Sequence, residues 1–596
     1  MNSARLSLGA VTAIVAVTAS AWILGACGED RDRFDNRDRS FDVDASADVS
    51  ICGLQCSIDG RSVIDLCTGD VVDTCRPELA CGAGRCQEPC AAAAEDKSSN
   101  GCEFYLQAPP AWTVAIAPSC YAAYIVNPST QPITVSLELD GEELDLSKSI
   151  FRLNPSDASL TPHVGPIPPN ESVALFLSDG DPSVPVLGSN TTVVPCPDGV
   201  VATTRVRSLL SGTAAYGSAF HLKTSVPAAV TTIYPFGGAR SYQPAATLAL
   251  PVATWAKQHI LVNGWELGGG PSAQILASED GTEVTILATR TLSGSESIAA
   301  SPAGVPTTYR LDKGQLLQLI QPDEFSGSIV TSNKPTSTIG GNACAAIPAN
   351  HSYCDILAQQ IPAFEQWGSE YVGVGYRPRL GSEREAVPYR IVAARDETRL
   401  DYDPAIPPGA PTTLSAGEIA TFFSGTGDAF VVRTQDAEHP IYLSAHMTGG
   451  LGSGEPGAGY AGWGDPEFVN VVPAGQYLNA YSFYADPTYA ETSLVVVRSK
   501  TRGAFKDVWL ECAGDLAGWR PVGTRGDYEF TRIDLSRGKK AGDAFDAGVC
   551  QYGLQRMRSE GPFTATIWGW DEAASYAYPG GMAQRKLVPT PLDPIR

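Results

Sequence analysis

The side chains that could do chemistry are few in this sequence and widely spaced. Glu365 and Glu370 flank Trp367, and two carboxylates beside a tryptophan would suit hydrolysis of a polysaccharide. The competing interpretation makes Trp367 a buried anchor with solvated carboxylates around it. The sequence also holds no metalloprotease motif, no nucleophile elbow and no phosphate-binding loop. It therefore predicts no catalytic residue and no cofactor.

A metal site is not predicted either. His439 and His446 fall on one predicted strand, but the odd spacing between them places the two side chains on opposite faces. Cys344, His351 and Cys354 are close in sequence and offer three ligands without a fourth. Outside the cytosol, a disulfide is the favoured interpretation of these two cysteines.

The thiol of Cys27 has the clearest chemistry in the chain. It ends the run LGAC (residues 24–27), which follows Arg5 and an apolar stretch too short to span a bilayer. This run resembles the lipobox of bacterial lipoproteins, in which small residues admit the peptidase and the cysteine takes the lipid. The alternative is a plain secretory signal with a cysteine after its cleavage site. We predict a lipoprotein signal peptide over residues 1–27 and lipidation of Cys27.

Cysteine parity and charge define the compartment and the partners. Of the 15 cysteines, all except Cys27 can pair with one another in an oxidising compartment. We therefore expect a bacterial envelope protein attached to the outer membrane by lipid and facing outward. The formal net charge of −23 argues against nucleic acid as a partner, because phosphate binding needs a basic surface.

Two short regions follow the predicted lipidation site. Residues 28–50 are rich in charge and poor in apolar side chains, which predicts a disordered acidic tether. Residues 51–106 contain many cysteines and no histidine, which favours a small disulfide module over a zinc site. These cysteines are Cys52, Cys56, Cys67, Cys75, Cys81, Cys86, Cys90 and Cys102. Their connectivity stays open.

From residue 107 onward, short β-branched and aromatic runs alternate with Gly, Asp and Pro, which predicts strands without a long helix. A proline followed by an aromatic residue recurs about every 111 residues: Pro251 with Trp255, Pro362 with Trp367, and Pro473 with Tyr477. We therefore predict four units, residues 107–250, 251–361, 362–472 and 473–596, of which the first and last are degenerate.

Each unit holds the strand content of a small β-sandwich. A propeller blade is shorter, about 40–50 residues, so a propeller would need two blades per unit. We predict an all-β fold of tandem β-sandwich-like repeats after a disulfide-rich module, with a β-propeller as the alternative. The remaining six cysteines fall into three pairs that keep to the units: Cys120 with Cys196, Cys344 with Cys354, and Cys512 with Cys550.

Residues 326–372 carry the most specific motif. They combine a predicted strand, a Lys334-Pro335 turn, a second strand ending in Gly-Gly, a cysteine-bounded loop and an aromatic entry to the next strand. The residues of the motif are Ser332, Lys334, Pro335, Gly340, Gly341, Asn342, Cys344, Tyr353, Cys354, Asp355, Gln360, Pro362, Trp367 and Gly368. With this motif the chain resembles the N-terminal domain family of IgGFc-binding proteins, which also occurs in bacterial surface lipoproteins.

The resemblance covers most of residues 107–596 and implies an extracellular binding domain, whose namesake associates with IgG Fc and mucus. It implies no particular binding residues, and the ligand, an extracellular protein or a glycan, stays unknown. We predict a lipid-anchored cell-surface binding or adhesion protein without catalytic activity. The alternatives are a structural cell-envelope component and a secreted polysaccharide hydrolase.

The last unit is rich in aromatic residues near its end: Trp568, Trp570, Tyr576 and Tyr578. Tyrosine and tryptophan provide a large contact area at a low entropy cost, so these residues would suit an exposed recognition patch. They would equally suit the core of the last unit. The sequence leaves both interpretations open.

Overall fold

A computed structural model describes residues 54–595 except 58–59, 66–67, 69, 111–118, 184–192, 208–211, 242, 267, 350–353, 451–459 and 461. The predicted lipidation site Cys27 and the predicted tether, residues 28–50, lie outside the described residues. About half of the chain lies in β-strands, and the predicted all-β class is confirmed. In the described part of the chain, no helix has the length and apolar content needed to cross a membrane.

The cysteine-rich module consists of short strands and one helix. Its elements are β1 (Leu54–Cys56), β2 (Ser62–Asp65), β3 (Val71–Thr74), β4 (Ala80–Gly82), β5 (Arg85–Gln87) and α1 (Pro89–Asp96). Disulfides join Cys56 to Cys81, Cys75 to Cys86, and Cys90 to Cys102. The buried core of the module is little more than Val63 and two half-cystines, so the disulfides supply cross-links that so small a core cannot replace.

The remaining described residues, 97–595, form the head. Its first stretch contains β6 (Gly101–Leu106), β7 (Tyr121–Val126), β8 (Val135–Leu139), β9 (Glu142–Glu143), β10 (Ile150–Leu153), β11 (Leu160–Pro162), β12 (Ser172–Gly180), β13 (Thr204–Val206), β14 (Ala215–Ser218), β15 (Phe220–Tyr234) and β16 (Ala245–Leu248). All except β14 join one sheet, in the order β11-β10-β12-β7-β15-β8-β9, with β13 beside β12 and both β6 and β16 beside β15.

The second sheet takes one strand from the preceding stretch. Its own strands are β17 (Ala256–Ile260), β18 (Pro271–Ala277), β19 (Thr282–Leu287), β20 (Thr307–Leu311), β21 (Gln315–Ile320), β22 (Ile329–Ala345) and β23 (Asp355–Ile361). The order is β14-β21-β18-β22-β19-β20, and β17 and β23 also pair with β22. Because β14 comes from the first unit and lies at the edge of the second sheet, the first two units share this sheet.

The third unit is a sandwich of two four-stranded sheets. Its strands are β24 (Glu370–Gly373), β25 (Ala386–Ala393), β26 (Thr398–Asp403), β27 (Thr413–Leu414), β28 (Ile419–Gly425), β29 (Phe430–Thr434), β30 (Ile441–Met447) and β31 (Glu467–Asn470). The sheet orders are β24-β29-β26-β27 and β28-β25-β30-β31. Aromatic side chains fill the space between them: Tyr389 of β25 packs edge-on against Phe430 of β29, with ring centroids 5.0 Å apart.

The fourth unit contains β32 (Leu478–Ala485), β33 (Glu491–Ser499), β34 (Val508–Leu510), β35 (Gly514–Asp515), β36 (Arg520–Val522), β37 (Tyr528–Arg537), β38 (Lys540–Ala541), β39 (Ala544–Phe545), β40 (Gly548–Val549), β41 (Gly553–Asp571) and β42 (Ala574–Pro579). Its main sheet has the order β35-β34-β41-β33-β37-β36, with β32 and β42 beside β41 and β38 beside β37; β39 and β40 form a hairpin. The run Leu494–Val497 in β33 is buried throughout because this strand lies in the middle of the sheet.

A long strand passes through a proline and changes partners there. Residues 329–332 of β22 pair with β19, whereas residues 336–342 pair with β18. The predicted Lys334-Pro335 turn is therefore wrong: the strand continues, and Pro335, which has no N–H to donate, lies where the partners change. Pro227 in β15 and Pro562 in β41 occupy similar places, and Pro440 lies between β29 and β30.

The repeated proline-aromatic sequence forms one 3₁₀ turn before the next strand. These turns span Val252–Thr254, Phe364–Gln366 and Ala474–Gln476. Trp255 Nε1 donates a hydrogen bond to Leu250 O (3.1 Å), and Trp367 Nε1 donates one to Pro362 O (3.0 Å). The two tryptophans are therefore equivalent. In this alignment Pro362 corresponds to Leu250 and not to Pro251.

Four short strands meet at the centre of the head. Strands β16, β23, β31 and β42 contact one another in cyclic order. Gln359 Nε2 of β23 donates to Ala246 O of β16 (2.8 Å) and to Ala577 O of β42 (2.9 Å), and Asn470 Nδ2 of β31 donates to Gln360 O (2.9 Å). Around this centre the described strands form separate sheets and no closed propeller. The boundaries predicted for the four units stay predictions.

The two ends of the head lie side by side at a seam formed by Ser98–Ser99 and Met582–Ala583. Ser99 N donates to Met582 O (2.8 Å), and Ser98 forms a β-bridge with Ala583. Gln476 fixes the chain just beyond this seam. Its Nε2 donates to Gln366 O (3.0 Å) and Arg585 O (2.7 Å), while its Oε1 accepts from Arg585 N (3.0 Å).

Replacing Gln476 with leucine should destabilise the head. The substitution Gln476→Leu keeps the side-chain volume but leaves three backbone groups without their partner, which should lower the free energy of unfolding by about 2 kcal/mol. Chemical denaturation measures this loss. The matched control is Gln551→Leu, at an exposed glutamine, which should change the free energy by less than about 0.5 kcal/mol. Equal unfolding midpoints for the two variants would contradict the role given to Gln476.

Candidate functional site

The second half of the most specific sequence motif lies largely in the interior, whereas Ser332, Lys334 and Pro335 are half-buried. A Cβ atom on Gly340 would lie 1.9 Å from Val262 O, and one on Gly341 would lie 2.4 Å from Leu357 O. Asn342 is fully buried, and Trp367 is 1% exposed. These residues bring strands close together at the centre of the head, so their role is structural. Tyr353 of the motif lies outside the described residues.

One of the two carboxylates beside Trp367, that of Glu370, forms an ion pair. Glu370 Oε1 lies 2.7 Å from a guanidinium nitrogen of Arg433, which is itself buried. Trp367 is a buried anchor, as the second interpretation of the sequence held. Trp568, Trp570, Tyr576 and Tyr578 are each 1% exposed and form part of the core, so the interpretation of these four as an exposed patch is wrong.

The cysteines and histidines are placed as follows. Disulfides join Cys120 to Cys196, Cys344 to Cys354, and Cys512 to Cys550. His446 is buried against Trp265 and Phe468, and burial lowers the pKa of its ring to about 3. His439 contacts Asp436 instead, with 2.7 Å between Nδ1 and the carboxylate. His351 lies outside the described ranges, and within those ranges no three His, Cys, Asp or Glu side chains are placed to hold a metal ion.

Three carboxyl groups are buried at one end of the central strands. Asp355 begins β23, Glu467 begins β31, and Asp465 lies two residues before Glu467. Burial raises the pKa of Asp355 well above its usual range, and the charges of Asp465 and Glu467 raise it further. Burial also raises the pKa of Asp465 and of Glu467. Among the described residues, neither Asp355 Oδ2 nor Asp465 Oδ2 has a hydrogen-bond partner. Burial therefore favours the neutral form of these acids over the charged form.

An open cleft lies between the cysteine-rich module and the main sheet of the fourth unit. Its volume is about 1440 Å³, twice that of an open depression near His439, which measures about 720 Å³. The module is held against the head by direct contacts: Arg61 Nη1 donates to Thr130 Oγ1 (3.0 Å), and Gln131 Nε2 donates to Pro77 O (3.0 Å). Ile64 and Val71 of the module face the head across this space.

The wall on the head side is a row of outward-facing side chains across four paired strands. Ala480 of β32 pairs with Arg558 of β41, Arg558 pairs with Trp509 of β34, and Trp509 pairs with Asp515 of β35. Directly opposed residues in antiparallel strands point to the same face of the sheet. The row therefore presents an aromatic ring between a cation and an anion to the cleft. The row thus offers a hydrogen-bond donor, an aromatic face and a hydrogen-bond acceptor in sequence.

The residue pattern of β41 is a signal in the sequence that indicates this wall. In the first half of β41, residues 553–561, buried positions alternate with more exposed ones, and Arg556, Arg558 and Glu560 take the more exposed positions. In the second half, almost every residue is buried. A strand that has one solvent-exposed face in its first part and two buried faces in its second part marks the place where a sheet leaves the core.

Comparison with known proteins gives a family match and one relative. A family model described as IgGFc binding protein matches residues 245–569, more than half of the chain. The IgGFc-binding protein of Homo sapiens is 27% identical to this chain over 233 residues. That stretch is 38% of this chain and only 4% of the human protein. The family match contains Trp509 and Arg558 in the wall of the cleft but none of the cysteine-rich module.

The buried carboxyl groups predict a pH dependence of stability. A carboxyl whose pKa is higher in the folded chain than in the unfolded chain favours folding when protonated. Its stabilising effect is complete below the unfolded pKa, about 4, and is lost as the pH rises through the folded pKa. Replacing Asp355 with asparagine removes this loss. Relative to the unmodified protein, Asp355→Asn should therefore gain stability as the pH rises from about 4 to 8.

The measurement is the difference in unfolding free energy between variant and unmodified protein at each pH. Asp546 is exposed and provides the matched control, because Asp546→Asn should give a difference that changes little with pH. The assignment fails if the difference for Asp355→Asn is constant from pH 4 to 8 or falls as the pH rises.

Proposed function

The chain belongs to the IgGFc-binding protein family, and from this membership we propose that it is an extracellular binding protein held at the surface of a bacterial cell. The observation that carries the proposal is the cleft between the cysteine-rich module and the main sheet of the fourth unit. It combines a substantial volume with the half-buried ring of Trp509 and with exposed charged side chains.

The proposed location rests on the chain before the described residues. Residues 24–27, LGAC, suit lipidation at Cys27, and the acidic tether that follows would hold the folded part away from the membrane. The six disulfides of the described residues suit an oxidising compartment. We place the protein on the outer face of the outer membrane, anchored by lipid alone.

We further propose that the protein binds its ligand without chemical change. The arginines of the cleft wall suit recognition, and the buried carboxyls at the centre of the head lie away from the cleft lining. The ligand would be an extracellular protein or a glycan. Four carboxyls line the cleft, Asp96, Asp507, Asp515 and Glu560, and we propose that they contact the ligand and do not act as a general acid and base.

Removing the lipidation site should release the protein from the membrane. In Cys27→Ala the thiol that would take the lipid is absent, so the protein should move from the membrane fraction to the soluble fraction after export. Fractionation with an antibody to the head measures this. Cys344→Ala with Cys354→Ala is the control, because it removes cysteines that are not expected to carry lipid. If Cys27→Ala stays in the membrane fraction, the proposed anchor is wrong.

Loosening the module should weaken ligand binding without unfolding the head. The Cys90–Cys102 disulfide connects α1 to β6, so the double variant Cys90→Ala, Cys102→Ala should let one wall of the cleft move. With residues 28–596, binding to human IgG Fc and to an array of glycans is measured first, and the strongest probe is then titrated. We expect about a tenfold loss of affinity in the double variant, with the main melting transition of the head retained.

The control for that experiment is the double variant Cys344→Ala, Cys354→Ala, which removes a disulfide outside the cleft. It should bind as the unmodified protein does. Binding of neither Fc nor any glycan would contradict the proposed function. Equal loss in both double variants would contradict the assignment of binding to the cleft.

A further inference from the structure

Arg558 is an exposed cation in the cleft without a carboxylate partner. It lies in the exposed half of β41 and lines the cleft. In the part of the chain that the structure describes, no ion pair involves this guanidinium. The protein carries a net charge of −23, so an anionic ligand needs a local cation such as Arg558 to offset the repulsion of the whole molecule.

The neighbouring cations of the cleft are already neutralised. Arg556 Nε donates to Glu511 Oε2 (2.8 Å), in a two-pronged pair. Lys506 Nζ lies 3.9 Å from Glu560 Oε2. Arg558 is therefore the cleft arginine whose N–H groups remain available for a ligand.

Trp509 fixes the direction in which this guanidinium points. The guanidinium carbon of Arg558 lies 4.6 Å from the centre of the indole ring, within the range of a cation–π contact. An arginine held over an aromatic face loses less conformational freedom when it binds a ligand, and its planar fork matches the two oxygens of a carboxylate. Trp509 is therefore a positioning residue, and Arg558 is the residue that would touch the ligand.

We propose that Arg558 binds the carboxylate or sulfate group of an acidic saccharide chain lying in this cleft. The proposal rests on the binding function proposed above and names its ligand class. Besides the anion, a saccharide offers hydroxyl groups, and the cleft is lined by side chains that bond to hydroxyls. These are Ser62, Asn100, Asn170 and Ser482.

Asp515 provides a carboxylate for the saccharide on the other side of the Trp509 ring. It pairs with Trp509 in the sheet register, so it lies across the indole from Arg558. A carboxylate there accepts hydrogen bonds from sugar hydroxyls and repels a second anion. Asp96, Asp507 and Glu560 also line the cleft, and together they limit the number of anionic groups that it tolerates. The ligand is therefore a saccharide with well-separated acidic groups rather than a densely charged polymer.

The test uses residues 28–596 and two matched pairs of oligosaccharides. The first pair is a trigalacturonate and its methyl ester, which differ only in the ionised carboxylates. The second pair is a sulfated galactan oligosaccharide and the same galactan without sulfate. Calorimetric titration should show binding of at least one acidic member about tenfold tighter than its neutral counterpart. The pair that shows the preference identifies the source of the anion.

Three variants locate the site. Arg558→Gln should abolish the preference for the acidic member, and Arg558→Lys should lose most of it because an ammonium lacks the planar fork. Trp509→Leu should reduce the affinity while keeping some preference, because it removes the ring that orients the guanidinium. The matched control is Arg290→Gln, at an exposed arginine outside the cleft, which should bind as the unmodified protein does.

Two results would overturn the inference. The first is equal or absent binding of the acidic and neutral members, and the second is a preference that Arg558→Gln leaves intact. Human IgG Fc and neutral glycans are included in the same assay, so failure of this inference and failure of the proposed function can be told apart. Binding of either of those probes would leave the protein a binding protein while removing the acidic saccharide from this site.

Discussion

The missing N–H of proline governs how the long strands of the head are used. Strands β15, β22 and β41 span 15, 17 and 19 residues, and a strand of that length would ordinarily belong to one flat ladder. Pro227, Pro335 and Pro562 cannot donate in the ladder, so each strand leaves one set of partners and joins another at that point. Each long strand therefore pairs with one set of strands before its proline and with another set after it. The strands paired after the proline include β16, β23 and β42, which reach the centre of the head.

The centre can form because small residues and side-chain amides occupy it. The Cα atoms of Gly340 and Gly341 lie against the backbone of neighbouring strands, where a larger residue would overlap it. The four central strands belong to different sheets, so their free edges find no continuous ladder with one another. The side-chain amides of Gln359 and Asn470 donate hydrogen bonds to backbone carbonyl groups on those edges.

Local signals in the sequence predicted local features of the fold. Alternating β-branched runs gave the all-β class, and the spacing of Trp255 and Trp367 located turns that share one hydrogen bond. Features that depend on distant pairing were not predicted. Nothing near Pro335 tells whether the chain turns or merely changes partners, because that depends on β18 and β19, which lie far away in sequence. The cleft was missed for the same reason, since Arg558 and the module become neighbours only through the fold.

The seam between Ser98–Ser99 and Met582–Ala583 has a mechanical consequence. It lies directly behind the module, and Ser98 is part of the cleft lining. If the proposed lipid anchor and the proposed binding in the cleft hold, drag on the bound molecule would load the module and the seam before it reached the sheets. The two sides of the seam run antiparallel, so the direction of pull decides whether their hydrogen bonds share the force or break one after another. The resistance of the seam to a pulling force would thus depend on the direction of that force.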